Sequence, residues 1–449
     1  MGFMRCSVRH NRVVVAMLAG MSASGVAHAQ GSAAWIPRVL GTQVTVIAQR
    51  VGQFDATYSG PMSLVATGDR AVSHTYGIYL GLRLFAGVDG YLDVEMARGS
   101  GISHASGLAG VTNGDVLRQG TADLGTGPYV ARAFLRSTFP LGTDVDSMSR
   151  GIDQLAGPVA TRRIEVTAGK LAASDLFDLN RYANSTRTQF LNWGLFQNTA
   201  WDFAADTRGY TNGVAIAWIT PRISLRAGSF QMPRQANGNV FDSDLRRARG
   251  DNVEVTVSPL TGGPVIRVLA YQNHARMGDY RVALARARST GAAPDIVADD
   301  TPGRRKRGLG LNVEQPIADD GETGAFIRAG ADDGTTESFA FTEVEGHVSG
   351  GVQVAGTHWG RGLDRLGVAG LRHTLNSAHR EYLAAGGTGF LLGDGALRYG
   401  AETFVETYYR VQVGSYLQVG PDVQYVRNPG YNRDRGPAWV TTLRANLRY

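Results

Sequence analysis

The feature that most constrains this chain is where its charges fall within period-two runs. In stretch after stretch, apolar residues take one parity and residues of both charge signs take the other. Between residues 91 and 97, Leu92, Val94 and Met96 alternate with Asp93 and Glu95. Between 130 and 138, Arg132 and Arg136 oppose Ala131, Ala133 and Leu135, and between 163 and 168 Arg163 and Glu165 oppose Ile164, Val166 and Ala168. The pattern returns with Ile223, Leu225 and Ala227 against Arg222 and Arg226, and with Val253, Val255 and Val257 against Glu254. Near the end, Val405, Thr407, Tyr409 and Val411 oppose Glu406, Tyr408, Arg410 and Gln412. Alternation of this kind is the signature of β-strands. A soluble sandwich also alternates, so the period alone leaves two architectures open. In lipid every backbone polar group must be paired within the protein, and a closed barrel achieves this with an apolar outer parity and a wet interior. An arginine on the lipid face costs about 2 to 4 kcal/mol at the midplane, so arginines belong inside or at the rims. The chain reads as an all-β transmembrane antiparallel barrel.

Both ends agree with that reading. Thr441, Leu443, Ala445, Leu447 and Tyr449 share one parity, with Thr442, Arg444, Asn446 and Arg448 on the other, so the sequence ends on an aromatic-tipped amphipathic strand. Outer-membrane barrels place such rings at the interface. At the start, Arg5, Arg9 and Arg12 precede the apolar run from Val13 to Gly20, and Ala27-His28-Ala29 forms an A-x-A cleavage site. Residues 1–29 are therefore expected to be a signal peptide, and 30–449 a single barrel domain. No run of 18 apolar residues stands anywhere, so no membrane helix is expected. Cys6, the sole cysteine, lies in the segment expected to be removed, which leaves no disulfide or thiol chemistry.

About 420 residues would remain after cleavage, with no linker, charge block or repeat dividing them. At ~10 residues per strand plus turns and outer loops, that length holds roughly 14 to 18 strands, and sixteen is favoured. The formal charge of +6 includes the three signal arginines, so the mature surplus is small, and the arginines are dispersed; nucleic acid is not an expected partner. Two stretches read as long outer loops: Gly99 to Gly127, and Arg286 to Arg307 with its basic run Arg304-Arg305-Lys306-Arg307. The basic run reads as solvated loop charge that could meet lipopolysaccharide phosphates, in preference to a role in the pore.

A third interruption, between Lys170 and Gly213, has different chemistry. It is dense in amides and aromatics: Asn180, Asn184, Gln189, Asn192, Gln197 and Asn198 accompany Trp193 and Trp201, with Arg181, Arg187 and Arg208 among them. Sugars need such a mixture, because hydroxyls both donate and accept and C–H faces stack on rings. The same amides could instead satisfy the backbone of a loop packed on the barrel wall, and the residues alone do not choose between the two.

The blocks GKLAASDLFDLNRYANSTRTQFLNWGLFQNTAWDFAADTRGYTNG, RAGSFQMPRQANG, HREYLAAGGTGFLLGDGALRYGAETFVETYY and PDVQYVRNPGYNRDRGP resemble the OprB-type carbohydrate-selective porins of Gram-negative outer membranes. They run in order from about Lys170 to the C-terminus; between Gln43 and Thr138 the likeness rests on barrel patterning. The resemblance implies sixteen strands, a lumen narrowed by inward-folded loops and lined by arginines, carboxylates and aromatics, and passive diffusion of sugars. Arg187, Asn192, Trp193 and Trp201 of the central segment, with the wall arginines Arg132, Arg163 and Arg226, are the expected substrate contacts. Arginine suits that task because its planar fork donates to hydroxyl pairs and keeps its charge.

Enzymatic readings fare poorly. No G-x-S-x-G or H-E-x-x-H motif occurs, His347, His358, His373 and His379 lack metal-ligand spacing, and His373 and His379 read as loop or rim residues. Asp93/Glu95 and Asp202/Asp206 could be imagined as glycosidase pairs, but charge is the ordinary background of a lumen. No cofactor or metal is expected. The competing readings are a less selective solute porin and a polysaccharide-export barrel. Expected partners are small sugars, outer-membrane lipid, lipopolysaccharide and the barrel-assembly machinery, for a monomer or a homotrimer.

Overall fold

The computed structural model describes residues 38–116 and 124–449; the expected signal peptide and residues 117–123 of the first expected outer loop lie outside them. The strands are β1 (Val39–Val51), β2 (Asp69–Phe85), β3 (Val88–Gly99), β4 (Tyr129–Pro140), β5 (Val145–Met148), β6 (Gly157–Ala160), β7 (Arg163–Leu171), β8 (Thr211–Ile219) and β9 (Ile223–Gln231). They continue as β10 (Arg249–Val257), β11 (Val265–Met277), β12 (Thr301–Ala318), β13 (Thr323–Asp332), β14 (Gly346–Gly356), β15 (Arg361–Thr374), β16 (Glu402–Val413), β17 (Leu417–Arg427) and β18 (Ala438–Arg448). All but β5 and β6 form one closed antiparallel barrel of sixteen strands, each paired with its sequence neighbour. β18 closes the wall on β1, from Gln43 opposite Arg448 to Val51 opposite Val440. β5 and β6 form a separate two-stranded hairpin. Among the described residues no helix is long and apolar enough to cross a membrane.

Burial follows the inside-out logic of a barrel. Ile216, Leu225, Val255 and Leu443 are exposed on the outer surface, whereas Asp93, Glu254, Arg328 and Glu406 are almost completely buried toward the lumen. Lipid takes the first set, and a polar interior takes the second. One parity expectation fails. Asp93 pairs with Arg132 but Val94 pairs with Val130, so Ala131 is an extra residue, buried and not lipid-facing. That bulge re-aims the top of β4 and keeps both Tyr129 and Arg132 beside the lumen.

Short turns join β2 to β3, β8 to β9, β12 to β13, β14 to β15 and β16 to β17 at one end, together with the longer β4-to-β7 connection that carries β5 and β6, while the other long connections gather at the opposite end. Barrels of this type keep short turns on the periplasmic side and long loops outside. At the turn end the Tyr416 and Tyr449 rings lie 5.5 Å apart, and the exposed Phe85, Phe139 and Trp218 lie at the same end. At the loop end Tyr425 and Trp439 pair at 4.9 Å.

The segment around 286–307 is not one long loop. Tyr280–Thr290 forms a helix (α2), capped by Asp279, whose carboxylate accepts from the amides of Arg281 and Val282. The basic run lies within β12, where alternation sends Arg305 and Arg307 outward and Lys306 inward. Lys306 is fully buried, its Nζ 3.1 Å from Asp202. A second helix, Ser377–Ala384 (numbered α3), carries a buried His379 whose Nδ1 lies 2.5 Å from Glu345. His373, next to the loop end of β15, is buried on its inner face, and His379 lies in the β15–β16 connection, so both stand at the loop end as expected but packed inside the protein.

Candidate functional site: a charged cavity in the lumen

Residues 172–210 leave the wall after β7 and cross the lumen before rejoining it at β8. An irregular backbone at that depth must find partners inside the protein, and inward side chains of distant strands supply them. Glu254 accepts from the Asp178 amide at 2.8 Å, Glu314 from that of Arg181 at 2.7 Å, and Glu406 from those of Leu191 and Asn192 at 2.6 and 3.0 Å. From the far wall, Arg444 donates to the carbonyls of Thr186 and Gln189 at 2.7 and 2.6 Å. Arg328, wholly buried, reaches Asp178 at 3.2 Å and the Leu195 carbonyl at 2.8 Å. Asp202 accepts from the amides of Phe339, Ala340 and Phe341 as well as from Lys306. This carboxylate therefore organises backbone, which accounts for it without catalysis.

The Gly99–Gly127 stretch joins β3 to β4 at the loop end, as expected, and also turns inward as far as its described residues go. Gln49 and Gln424 both donate to the Thr112 carbonyl, at 3.1 and 2.8 Å, and Asn113 donates to Ser73 at 2.9 Å. The two loops are laced together: the Trp193 amide donates to Val111 and the Gly114 amide to Leu191.

Between these loops and the wall made by β2, β3 and β4 remains a cavity of about 420 Å³. Its centre is Arg187, on the crossing loop. Arg187 Nε lies 2.7 Å from Asp115, its Nη1 donates to Tyr79 at 2.9 Å, and Nη1 and Nη2 each reach Glu95 Oε1 at 3.1 Å. Burial opposes the charge on this guanidinium, but Asp115 and Glu95 outweigh it and hold its pKa above the usual arginine value. Tyr210 donates to the other Glu95 oxygen at 2.6 Å, and Thr75 to Asp115 at 2.6 Å. Arg132 stands beside this group, bidentate on Asp175 at 2.6 and 2.7 Å, 3.3 Å from Asp93 and 5.1 Å above the Tyr210 ring. Arg208 covers the Tyr129 ring at 4.7 Å. The wall thus offers rigid donors, anionic acceptors and tyrosine rings within one cavity.

Of the expected contacts, the structure brings Arg132, Arg187 and Trp193 to this cavity. Trp193 stacks on Phe341 at 5.1 Å and so offers only part of its surface. Asn192 is fully buried elsewhere, its side chain capping the short helix Trp193–Phe196 (α1) through the Gly194 amide at 2.9 Å. Trp201 is buried too, with Nε1 donating to Asn252 at 2.9 Å. Arg163 pairs with Glu165 at 2.6 Å near the turn end, and Arg226 donates to the Leu176 carbonyl; neither lines the cavity. Glu95, Asp115, Tyr79, Tyr129 and Tyr210 line it without having been singled out as contacts. Inward parity marked Glu95 in the sequence, whereas nothing local marks Asp115. Among the described residues no group of histidine, cysteine and carboxylate side chains is placed to hold a metal ion.

A closed sixteen-strand barrel with an apolar exterior, short turns at one end and a polar lumen crossed by loops is a porin of the Gram-negative outer membrane. Residues 97–449 match the family model described as carbohydrate-selective porin, OprB family, and the chain belongs to that family. The high-pH structure of Pseudomonas putida OprB matches with a TM-score of 0.68 at 15% identity, covering 92% of this chain and 94% of that one. A mutant of the Rhodopseudomonas blastica porin matches with a TM-score of 0.44 at 10% identity, covering 92% and 99%. Comparison with curated proteins finds no match.

Proposed function

We propose that the cavity around Arg187 and Arg132 is the constriction at which this porin handles sugars during passive diffusion. The observation that carries the reading is the Arg187 fork held between Asp115 and Glu95, with tyrosines on the surrounding wall. A sugar hydroxyl both donates and accepts, so it exchanges onto such a network without leaving a charge unpaired. Because Arg187 and Arg132 already have carboxylates, a passing solute is bound weakly there, as a channel must release what it admits. The crossing loop also argues for small solutes over a polymer, since residues 172–210 span the lumen and are bonded to strands on opposite sides of it. The test is glucose block of single-channel current in Arg187→Lys. Loss of block with the pore still open supports a sugar contact at Arg187; unchanged block rejects it.

A further inference from the structure

The lumen continues below the Arg187 cavity. Between β4 and β7 the chain makes the β5–β6 hairpin at the turn end, and its tip, residues 149–156, reaches into the barrel. Leu155 at the tip is buried, with its amide donating to the Tyr91 hydroxyl at 3.3 Å. Arg136 Nη1 holds the tip by donating to the Asp153 carbonyl at 3.0 Å and to Gln154 Oε1 at 3.2 Å. Ile152 and Asp153 line the upper cavity, whereas Gln154 and Leu155 line a second one of about 370 Å³. The other walls of the second cavity come from the turn end of β2, β3, β4 and β7, among them Arg83, Asp89, Arg136 and Glu165. Two successive residue pairs of one hairpin tip therefore face two different cavities, one above the other.

We infer that the lower chamber is a second sugar subsite, on the periplasmic side, separated from the first by the tip of the β5–β6 hairpin; this rests on the sugar-porin reading above. The chemistry lies in how Arg136 is satisfied. Its hydrogen-bonded partners at the tip are neutral oxygens, a backbone carbonyl and a glutamine amide. A hydroxyl oxygen of a neutral sugar can replace either one without stripping a carboxylate from its cation. The guanidinium is held in place for that exchange, 5.2 Å above the Tyr91 ring, which itself stacks on Phe134 at 4.9 Å. Gln154 and Glu165 supply acceptors, and the Arg83–Asp89 pair supplies both kinds of group. The volume is within the roughly 300 to 1,000 Å³ of ordinary small-molecule sites.

The test is analysis of glucose-induced current noise in single channels of the full-length protein. Two subsites predict two relaxations in the unmodified channel, with glucose added at the turn end favouring one of them. Gln154→Leu should remove that relaxation, or weaken its block constant about fivefold, as loss of one hydrogen bond implies. Arg136→Gln, which changes the wall-side donor of the Arg136–Gln154 contact, should act on the same relaxation and spare the other. A single relaxation in the unmodified channel, or two that both variants leave untouched, overturns the second subsite while the sugar-porin reading stands. Absence of any glucose-induced noise in the unmodified channel removes the basis of both.

Discussion

Arg187 and Glu95 meet across the lumen, one from the crossing loop and one from β3, with both terminal guanidinium nitrogens 3.1 Å from a single carboxylate oxygen. The pair ties the loop to the wall at the cavity and fixes how far apart they stand. Its geometry depends on a planar fork, which lysine cannot reproduce. Arg187→Lys should therefore keep the charge and roughly the open-channel current, yet weaken sugar block. Arg187→Ala should raise conductance and, by leaving Asp115 and Glu95 without their cation, shift the reversal potential toward cation selectivity. An unchanged reversal potential in a salt gradient would contradict that electrostatic role.

Outward and inward parities make a second prediction. Cysteines at Leu225, Val255 and Leu443, exposed on the outer surface, should react with lipid-soluble probes. A cysteine at Glu165, in the lower chamber, should react with water-soluble ones. Glu254 is buried against the Asp178 amide, so a cysteine there should resist both reagents.

How much of this was legible in the sequence follows from the same parities. Lipid enforces one rule on every strand, so the barrel could be read from Leu92, Asp93, Val94 and Glu95 without knowing their partners. β12 misled because its alternation extends through Arg304 to Arg307, where outward arginines stand above the apolar band and resemble loop charge. Ala131 misled because a bulge breaks period two without changing composition. The amide-rich character of the segment after Lys170 set it apart from the strands. The destination of each amide, however, depends on residues far away in sequence: Asn192 looks like a sugar contact and serves as a helix cap. Asp115 joins Arg187 only because two loops meet inside the barrel.

Lys306 and Asp202 supply a third prediction, on stability. Both are buried, and breaking a buried pair by removing one partner costs about 3 to 5 kcal/mol. Lys306→Met should lower the temperature at which the barrel loses its heat-modifiable gel mobility. Adding Asp202→Asn should recover part of the loss, because the uncompensated charge goes with it. A double variant worse than the sum of the singles would refute the coupling.

The connection between β13 and β14 carries a pH signature. Glu337 accepts from the Gly278 amide at 3.0 Å, and burial pushes its carboxyl up to about 7 from an ordinary value near 4.5. A raised value in the folded state means that the neutral form stabilises. Its contribution is complete below about pH 4.5 and is lost as pH rises to about 7, a span worth about 3 kcal/mol. Amide exchange around Gly278, corrected for intrinsic rate, should accelerate over that range in the unmodified protein. Glu337→Gln should flatten the dependence; an equally steep profile in that variant would assign the effect to another group.

In the proposed function the arginines, carboxylates and tyrosines of the cavity select for sugars and not merely for size. Liposome swelling with glucose and with an amino acid of similar size compares the two directly in the unmodified protein. Faster swelling in glucose, reduced toward the amino-acid rate by Arg187→Lys, is the predicted result. Equal rates for the two solutes would rule out that selectivity and make the barrel a general solute pore.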